Sequence, residues 1–414
     1  MKIRSASVFT GAAALTLLAT ACGGGDTGGE TQAAAEDAMV IWADDERTDV
    51  LLPFAEEFGD AHGVEVEVQA VPNDELQSSF VTAHQAGSGP DIVVGAHDWT
   101  GNFVQNGAID PIQLPQDTVE AFAPTAIEAV TYNDQLYGVP YAMENLVLIR
   151  NTDLAPEEPA SVEEMVEAGT GLRDAGDVEE IMGLQVGQVG DPYHIHPFYT
   201  SAGGYLFGRD DNGDYDPTDL GVGTDESIAA FERIAELGEE GSGALKRSID
   251  DQNVASLFND GRTAYFVTGP WSLPDIRTAG IPYEISAVPG FEGGEEARPF
   301  VSVQTFYVAA GGANKVLAQE FVTNYVAKPE LAVALYESDP RPPALTAALE
   351  QIGEDDPDLA KVVAAGENGD PLPAIPQMAA IWDPFGKAEA SVIGGADPEE
   401  TVTAAGETIA DQIG

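Results

Sequence analysis

The chain has 414 residues, with 71 acidic and 17 basic side chains and a formal charge of -54. So negative a surface repels nucleic acid phosphates and anionic lipid headgroups, which excludes both as ligands. A single cysteine excludes an internal disulfide, and the length suits two domains better than one core.

The N-terminus reads as a targeting segment. Lys2 and Arg4 precede an uncharged run, Ser5 to Ala21, of 17 residues. A membrane span needs about 20 apolar residues, so residues 1–21 read as a signal peptide. Cys22 follows Leu18-Ala19-Thr20-Ala21, which resembles a bacterial lipobox, with Ala19 where Leu is more usual. That makes Cys22 a lipidated first residue of the mature protein. Residues 22–37 are rich in Gly, Ala, Thr and Glu without apolar periodicity and read as a flexible tether.

Folded structure is expected from Ala38 onward. Met39 to Trp42 is a short apolar strand. Leu51, Leu52, Phe54, Ala55 and Phe58 fall at helical spacing, and the helix stops at Gly59 to Gly63. Val64, Val66 and Val68 alternate with polar residues, as in a strand. Asn73 to Ala86 reads as helix, Gly89-Pro90 breaks it, and Asp91 to Val94 is the next strand. This βαβαβ order predicts a parallel sheet flanked by helices. Tyr137 to Pro140 and Leu146 to Arg150 read as strands around a polar interruption at Glu144-Asn145. Ser161 caps a helix to Ala175, with Glu164 three residues on. Thr224 to Gly238 is a helix, Thr263 to Val267 a strand, and Ala318 to Val326 a helix. Ala379 to Val392 is a helix interrupted at Pro384. Asp210-Asp211-Asn212-Gly213-Asp214 has calcium-loop spacing, but Tyr215 and Gly221 stand where that loop needs Gly and Glu, so a hairpin turn is the expectation.

Ligands of open parallel sheets bind beyond the carboxyl ends of the strands. The residues there are Trp42, Asp44, Asp45, Glu46 and Arg47, then His97, Asp98 and Trp99, then Glu144 and Asn145, then Trp271. Three of the four Trp residues thus lie at strand ends. Aromatic faces beside carboxylates and a guanidinium suit a neutral polyol, whose C–H face stacks on indole while its hydroxyls bond to the charged groups. The chain lacks the local signatures of serine hydrolases, zinc proteases, P-loop proteins and dinucleotide enzymes. A carboxylate pair, Asp98 and Glu144, leaves a glycoside hydrolase as the alternative. His194 and His196 have no third ligand beside them, so no metal, cofactor or catalytic residue is expected.

Several pieces then coincide with a known family. They are Gly89-Pro90-Asp91-Ile92 with Ala96-His97-Asp98; Glu144 between Pro140 and Leu148; Asp191-Pro192-Tyr193; Gly203-Gly204-Tyr205; Thr268-Gly269-Pro270-Trp271; Pro299-Phe300-Val301; and Ile375-Pro376-Gln377-Met378 with Trp382. In this order, over more than 300 residues, they resemble the maltose/maltodextrin-binding proteins of the extracellular solute-binding class. The resemblance implies that Arg47, with Glu46 beside it, contacts sugar hydroxyls. Asp98 and Glu144 match hydroxyl-binding carboxylates, and Tyr193, Trp271 and Trp382 match aromatic platforms. Asp191 replaces a Glu. Gly95 stands where the best-known members carry a Trp, and Gly386 near a frequent Arg. Trp99 beside Asp98 is expected to supply part of the missing aromatic surface.

The fold so implied is α/β, a two-lobe periplasmic-binding-protein-like fold of type II, each lobe a mixed, largely parallel sheet flanked by helices. Residues 38–142 plus 306–351 would form lobe one, and 147–298 plus 358–414 lobe two. Hinge crossings would lie near 141–146, 300–305 and 351–358. The implied protein is a monomer on the outer face of the cell membrane, held by its lipid. It would bind a maltodextrin-type oligosaccharide, or another sugar such as trehalose, and meet the membrane permease subunits of an ABC importer. A polyamine is the non-sugar alternative, which Arg47 opposes.

Overall fold

The computed structural model describes residues 38–210 and 213–414. The expected signal peptide, Cys22 and the tether lie outside the described residues, as do Asp211 and Asn212.

In chain order the elements are β1 (Met39–Ala43), α1 (Asp45–His62), β2 (Val66–Ala70), α2 (Asn73–Ala86), β3 (Ile92–Ala96), α3 (Trp99–Gln105), α4 (Gln116–Val119), α5 (Pro124–Ala129), β4 (Thr131–Tyr132), β5 (Gln135–Leu136), β6 (Gly138–Asn145) and β7 (Val147–Asn151). There follow α6 (Val162–Ala175), α7 (Pro192–Ser201), β8 (Phe207–Arg209), β9 (Tyr215–Leu220), α8 (Asp225–Leu237), α9 (Val254–Asn259), β10 (Tyr265–Thr268), α10 (Leu273–Ala279) and β11 (Tyr283–Ser286). The last are β12 (Phe300–Val308), α11 (Lys315–Phe321), α12 (Pro329–Ser338), α13 (Thr346–Gly353), α14 (Pro357–Ala365), β13 (Asp370–Pro371), α15 (Trp382–Ile393) and α16 (Pro398–Ile413). Among the described residues no helix is long and apolar enough to cross a membrane.

The larger sheet runs in the order β13-β12-β3-β1-β2, with β6 also paired to β12. The βαβαβ start does give parallel pairing of β1 with β2 and β3, while β12 runs antiparallel to β3 and β6. Alternation along the strands buries both faces. Ile92 and Val94 of β3 join Phe306 and Val308 of β12 in one core with Phe58 and Phe321. Val93 and Tyr307, one residue out of phase, join Phe80 and Phe103 in another.

The smaller sheet, β10-β7-β11, is antiparallel throughout, which corrects the expectation of a largely parallel sheet in the second half. An apolar run shows that a strand is buried but not which way its neighbours run, since both return from far downstream. Leu148, Tyr265 and Val267 face a core filled by α6, α7, α8, α15 and α16. Val147, Ile149, Phe266 and Ile285 face a second core under α9 and α10.

Local physics explains most boundaries. Asp44 caps α1 by accepting the Arg47 N–H at 3.0 Å. The helix passes through Gly59, where a Cβ would meet the Val64 carbonyl oxygen at 2.7 Å, and stops at Gly63 with φ +68°. Ser161 caps α6 as its sequence suggested. Glu144-Asn145 does not interrupt a strand; both residues end β6, opposite Ser302 and Val301 of β12. The ladder tolerates them because their side chains have partners. Gln304 and Arg341 donate to Glu144, and Asn145 donates to the Val362 carbonyl. Nor does Pro384 break α15, since it sits in the first turn, where backbone N–H groups have no helical acceptor. The expected 318–326 helix is α11 followed by a π-helical stretch, Val322–Val326. Strands β8 and β9 pair antiparallel around the Asp210–Asp214 segment, as a hairpin.

One irregularity matters for the site. Between Gln304 and Thr305 the β6–β12 register shifts, because Ala142 pairs with Gln304 and Pro140 with Thr305. Tyr141 is the extra residue of this bulge. The residues expected as the first two crossings, 141–146 and 300–305, are therefore hydrogen-bonded neighbours in one ladder.

Candidate functional site

A cavity of about 490 Å³ collects residues from both sheets. The larger sheet supplies Asp44 to Arg47 at the end of β1, Asn73 after β2, Glu144 on β6, Gln304 on β12 and Arg341 after α12. The smaller sheet's side supplies Tyr193 and His194 from the first turn of α7, and Trp271 from the turn after β10. The cavity thus has one charged wall and one aromatic wall.

The charged wall is a network. Arg341 binds Glu144 and Asp339, and Gln304 Nε2 donates to Glu144 Oε1 at 2.9 Å. Arg47 binds Asp44 and the Tyr141 hydroxyl, with Asp339 3.5 Å away. Burial pushes the Glu144 carboxyl up, but Arg341, Gln304 and Arg47 outweigh it and hold the group below its ordinary value. Burial likewise opposes the Arg341 charge, and Glu144 with Tyr141 keeps that guanidinium above its ordinary value. Arg47 moves the other way, lowered by burial and by Arg341, with Tyr141 and Glu144 offsetting only part.

The aromatic wall rests on small residues and a cap. β10 ends at Thr268, whose hydroxyl pairs with Ser272 at 2.8 Å, and Pro270 opens a 3₁₀ turn that carries Trp271. The indole lies so close to Gly269 that a Cβ there would meet it at 2.0 Å. Tyr193 stands 6.3 Å from the indole by ring centroids, and the Arg341 guanidinium lies 5.3 Å from it. The Tyr193 hydroxyl is buried without a hydrogen-bond partner among the described residues.

Of the residues singled out from sequence, Asp44, Asp45, Glu46, Arg47, Glu144, Tyr193, His194 and Trp271 line this cavity. The others stand elsewhere. Trp42 donates to Gln69 Oε1 at 3.0 Å across the β1–β2 ladder. Trp99 is buried against Phe103 and fills the space above Gly95, where a Cβ would meet its ring at 1.9 Å. It replaces volume there without lining the cavity. Asp98 is buried nearby; burial, with Glu144 adding, pushes its carboxyl up to about 7. Neighbouring His97 is structural, its ring bridging the Leu372 carbonyl and the Val303 N–H, and burial lowers it to about 4. Asp191 caps α7, accepting from the Tyr193 and His194 N–H groups at 3.1 and 3.0 Å. Trp382 opens α15 and packs edge-on to Phe300 at 6.5 Å, one ring removed from Tyr193.

Sequence reasoning missed Arg341, Asp339 and Gln304. Asp339-Pro340-Arg341-Pro342-Pro343 does carry a signal, a charged pair stiffened by prolines in a loop. Gln304 lies in the expected 300–305 crossing.

The family described as "Bacterial extracellular solute-binding protein" matches residues 54–362. A galactooligosaccharide-binding protein of Bacillus subtilis (strain 168) is 28% identical over 430 aligned residues, covering 99% of this chain and 97% of that protein. A maltotriose-binding protein of Pyrococcus abyssi (strain GE5 / Orsay) is 28% identical over 352 residues, 83% of this chain and 75% of its own. A maltooligosaccharide ABC transporter solute-binding lipoprotein of Streptococcus pneumoniae serotype 4 is 24% identical over 389 residues, 92% of this chain and 90% of its own. With its family match spanning most of its length, the chain belongs to the bacterial extracellular solute-binding proteins.

Proposed function

We propose that this protein captures an oligosaccharide outside the cell, while anchored through Cys22, and delivers it to an ABC-type importer. The observation that carries the reading is the cavity itself. Its volume of about 490 Å³ falls within the range of roughly 300–1,000 Å³ for small-molecule sites, with Tyr193 and Trp271 facing guanidiniums and carboxylates. The charged wall offers donors and acceptors to sugar hydroxyls, and the aromatic wall offers faces to the ring. The residues 38–142 plus 306–351 and 147–298 plus 358–414 would act as two lobes closing on the sugar, with the β6–β12 ladder as part of the hinge. Separate cores on the two sheets support that division. A ligand touched by both lobes only when closed stabilises the closed form.

Relatives named for maltotriose and maltooligosaccharides support a maltodextrin-type ligand. The relative matched over nearly its whole length is named for galactooligosaccharides, which makes a galactose-based chain the second reading. A thermal-shift panel of maltose, maltotriose, longer maltodextrins, galactooligosaccharides, trehalose and spermidine separates them. A ligand at a hundredfold excess over its dissociation constant stabilises by about 2.7 kcal/mol. Stabilisation by spermidine alone would overturn sugar binding. Release of reducing sugar from any of the chains would instead favour a hydrolase using Asp98 and Glu144, whose carboxyls are shifted in opposite directions.

A further inference from the structure

A second, smaller cavity of about 200 Å³ lies under the β8–β9 hairpin, away from the residues of the sugar site. It is lined by His196, Arg209, Arg298, Asp370, Tyr215 and Phe300, among others. His196 is only 3% exposed and is stacked flat on Phe300, with ring centroids 3.5 Å apart and planes 8° apart. Neither of its ring nitrogens has a hydrogen-bond partner among the described residues. The Asp370 carboxylate comes no nearer than 3.8 Å to Nε2. A buried polar group left without a bond costs about 1–3 kcal/mol, so native structures rarely leave one unsatisfied.

The charges around this ring are unusual for so acidic a chain. Among the described residues two guanidiniums face one carboxylate, whereas four other cavities each have at least as many carboxylates as guanidiniums. Arg209 is laid over the Tyr215 ring at 4.0 Å and donates to the Gly213 carbonyl at 2.8 Å. Arg298 approaches Asp370 at 3.5 Å. Each guanidinium has five donors, and among the described residues these contacts use few of them. A water takes about 30 Å³ of liquid volume, so the space is large enough for several waters or one small ion.

We propose that this cavity is a second ligand site, which takes a small oxyanion between Arg209, Arg298 and the His196 ring. Its ligand class is distinct from that of the larger cavity, and it stands whether or not that cavity binds sugar. An oxyanion there would draw on the forked donors of Arg209 and Arg298 and on the stacked His196 ring, and would share them with the Asp370 carboxylate.

Calorimetric titration with inorganic phosphate tests it, with ionic strength held constant by sodium chloride so that screening of the acidic surface does not change. One saturable site is expected. Arg298→Met, at a half-exposed position, should weaken it at least about tenfold, the change that corresponds to 1.4 kcal/mol. His196→Phe keeps the stacking volume and should weaken it too. Sulfate should compete with phosphate. Absence of a saturable heat would overturn the proposal, and so would equal phosphate binding by the wild type and Arg298→Met.

Discussion

The two walls of the larger cavity are held in different ways. On the charged wall the two buried guanidiniums are fixed by carboxylates: Arg341 by Glu144 and Asp339, Arg47 by Asp44. On the aromatic wall Trp271 leans on Gly269, and Tyr193 rides on a helix capped by Asp191. Charges taken out of water must be paired, so the first wall is coupled to folding. Aromatic rings need only a surface to lean on, so the second is coupled chiefly to whatever enters the cavity.

The largest effect should follow from breaking the charged wall. Glu144→Ala takes from the buried Arg341 one of its two counter-charges and from Gln304 its acceptor, and loss of one member of a buried pair costs about 3–5 kcal/mol of stability. Urea unfolding would show this, and a change below about 1 kcal/mol would break the contrast.

Asp98, buried near this wall, adds a pH signature. Its carboxyl sits at about 7 in the folded chain against an ordinary 3.8, so between those values the folded protein holds a proton that the unfolded chain has released. Stability from this group therefore falls as pH rises from about 4 to about 7 and stays low above, by on the order of a few kcal/mol. Asp98→Asn should flatten the curve over that window. An unchanged slope would mean that Asp98 is already ionised in the fold.

On the other wall Trp271→Ala should leave unfolding nearly unchanged. It should cost about 2 kcal/mol of sugar affinity, roughly thirtyfold, by calorimetric titration with the best ligand of the panel. Destabilisation as large as that of Glu144→Ala would erase the difference between the walls. The smallest effect on affinity is expected from Trp382→Ala, less than about tenfold, because Phe300 and Tyr193 stand between Trp382 and the cavity. A loss equal to that of Trp271→Ala would place Trp382 in the sugar site.

What the sequence revealed follows the range of the interactions involved. Helix α2 begins and ends where its pattern and the glycine after it say, and the Ser161 cap is read from four adjacent residues. Those are local events. Trp271 is marked by its place after a strand and Glu144 by a polar stretch between apolar ones, while Tyr193 comes from the family resemblance alone. Arg341 escaped because its role depends on Glu144, which is 197 residues away. Trp42 and Trp99 have the right type in the right segment, but the direction of each ring was settled by distant partners such as Gln69 and by the bare space over Gly95. Strand direction in the smaller sheet escaped for the same reason.

The bulge at Tyr141 lets β6 carry one residue more than the strand it pairs with. Tyr141 and Ala142 both lie against the same core, where plain alternation would send one of them to the other side. The ladder closes normally beyond them, with Glu144 opposite Ser302. A chain shortened by Tyr141 alone would keep that pairing and nearly all its hydrophobic pattern. It would lose the hydroxyl that steadies Arg47. Because Tyr141 stands outside the β6–β12 pairing, its side chain can be exchanged in a lineage of such proteins without shifting the register that holds Glu144 in place.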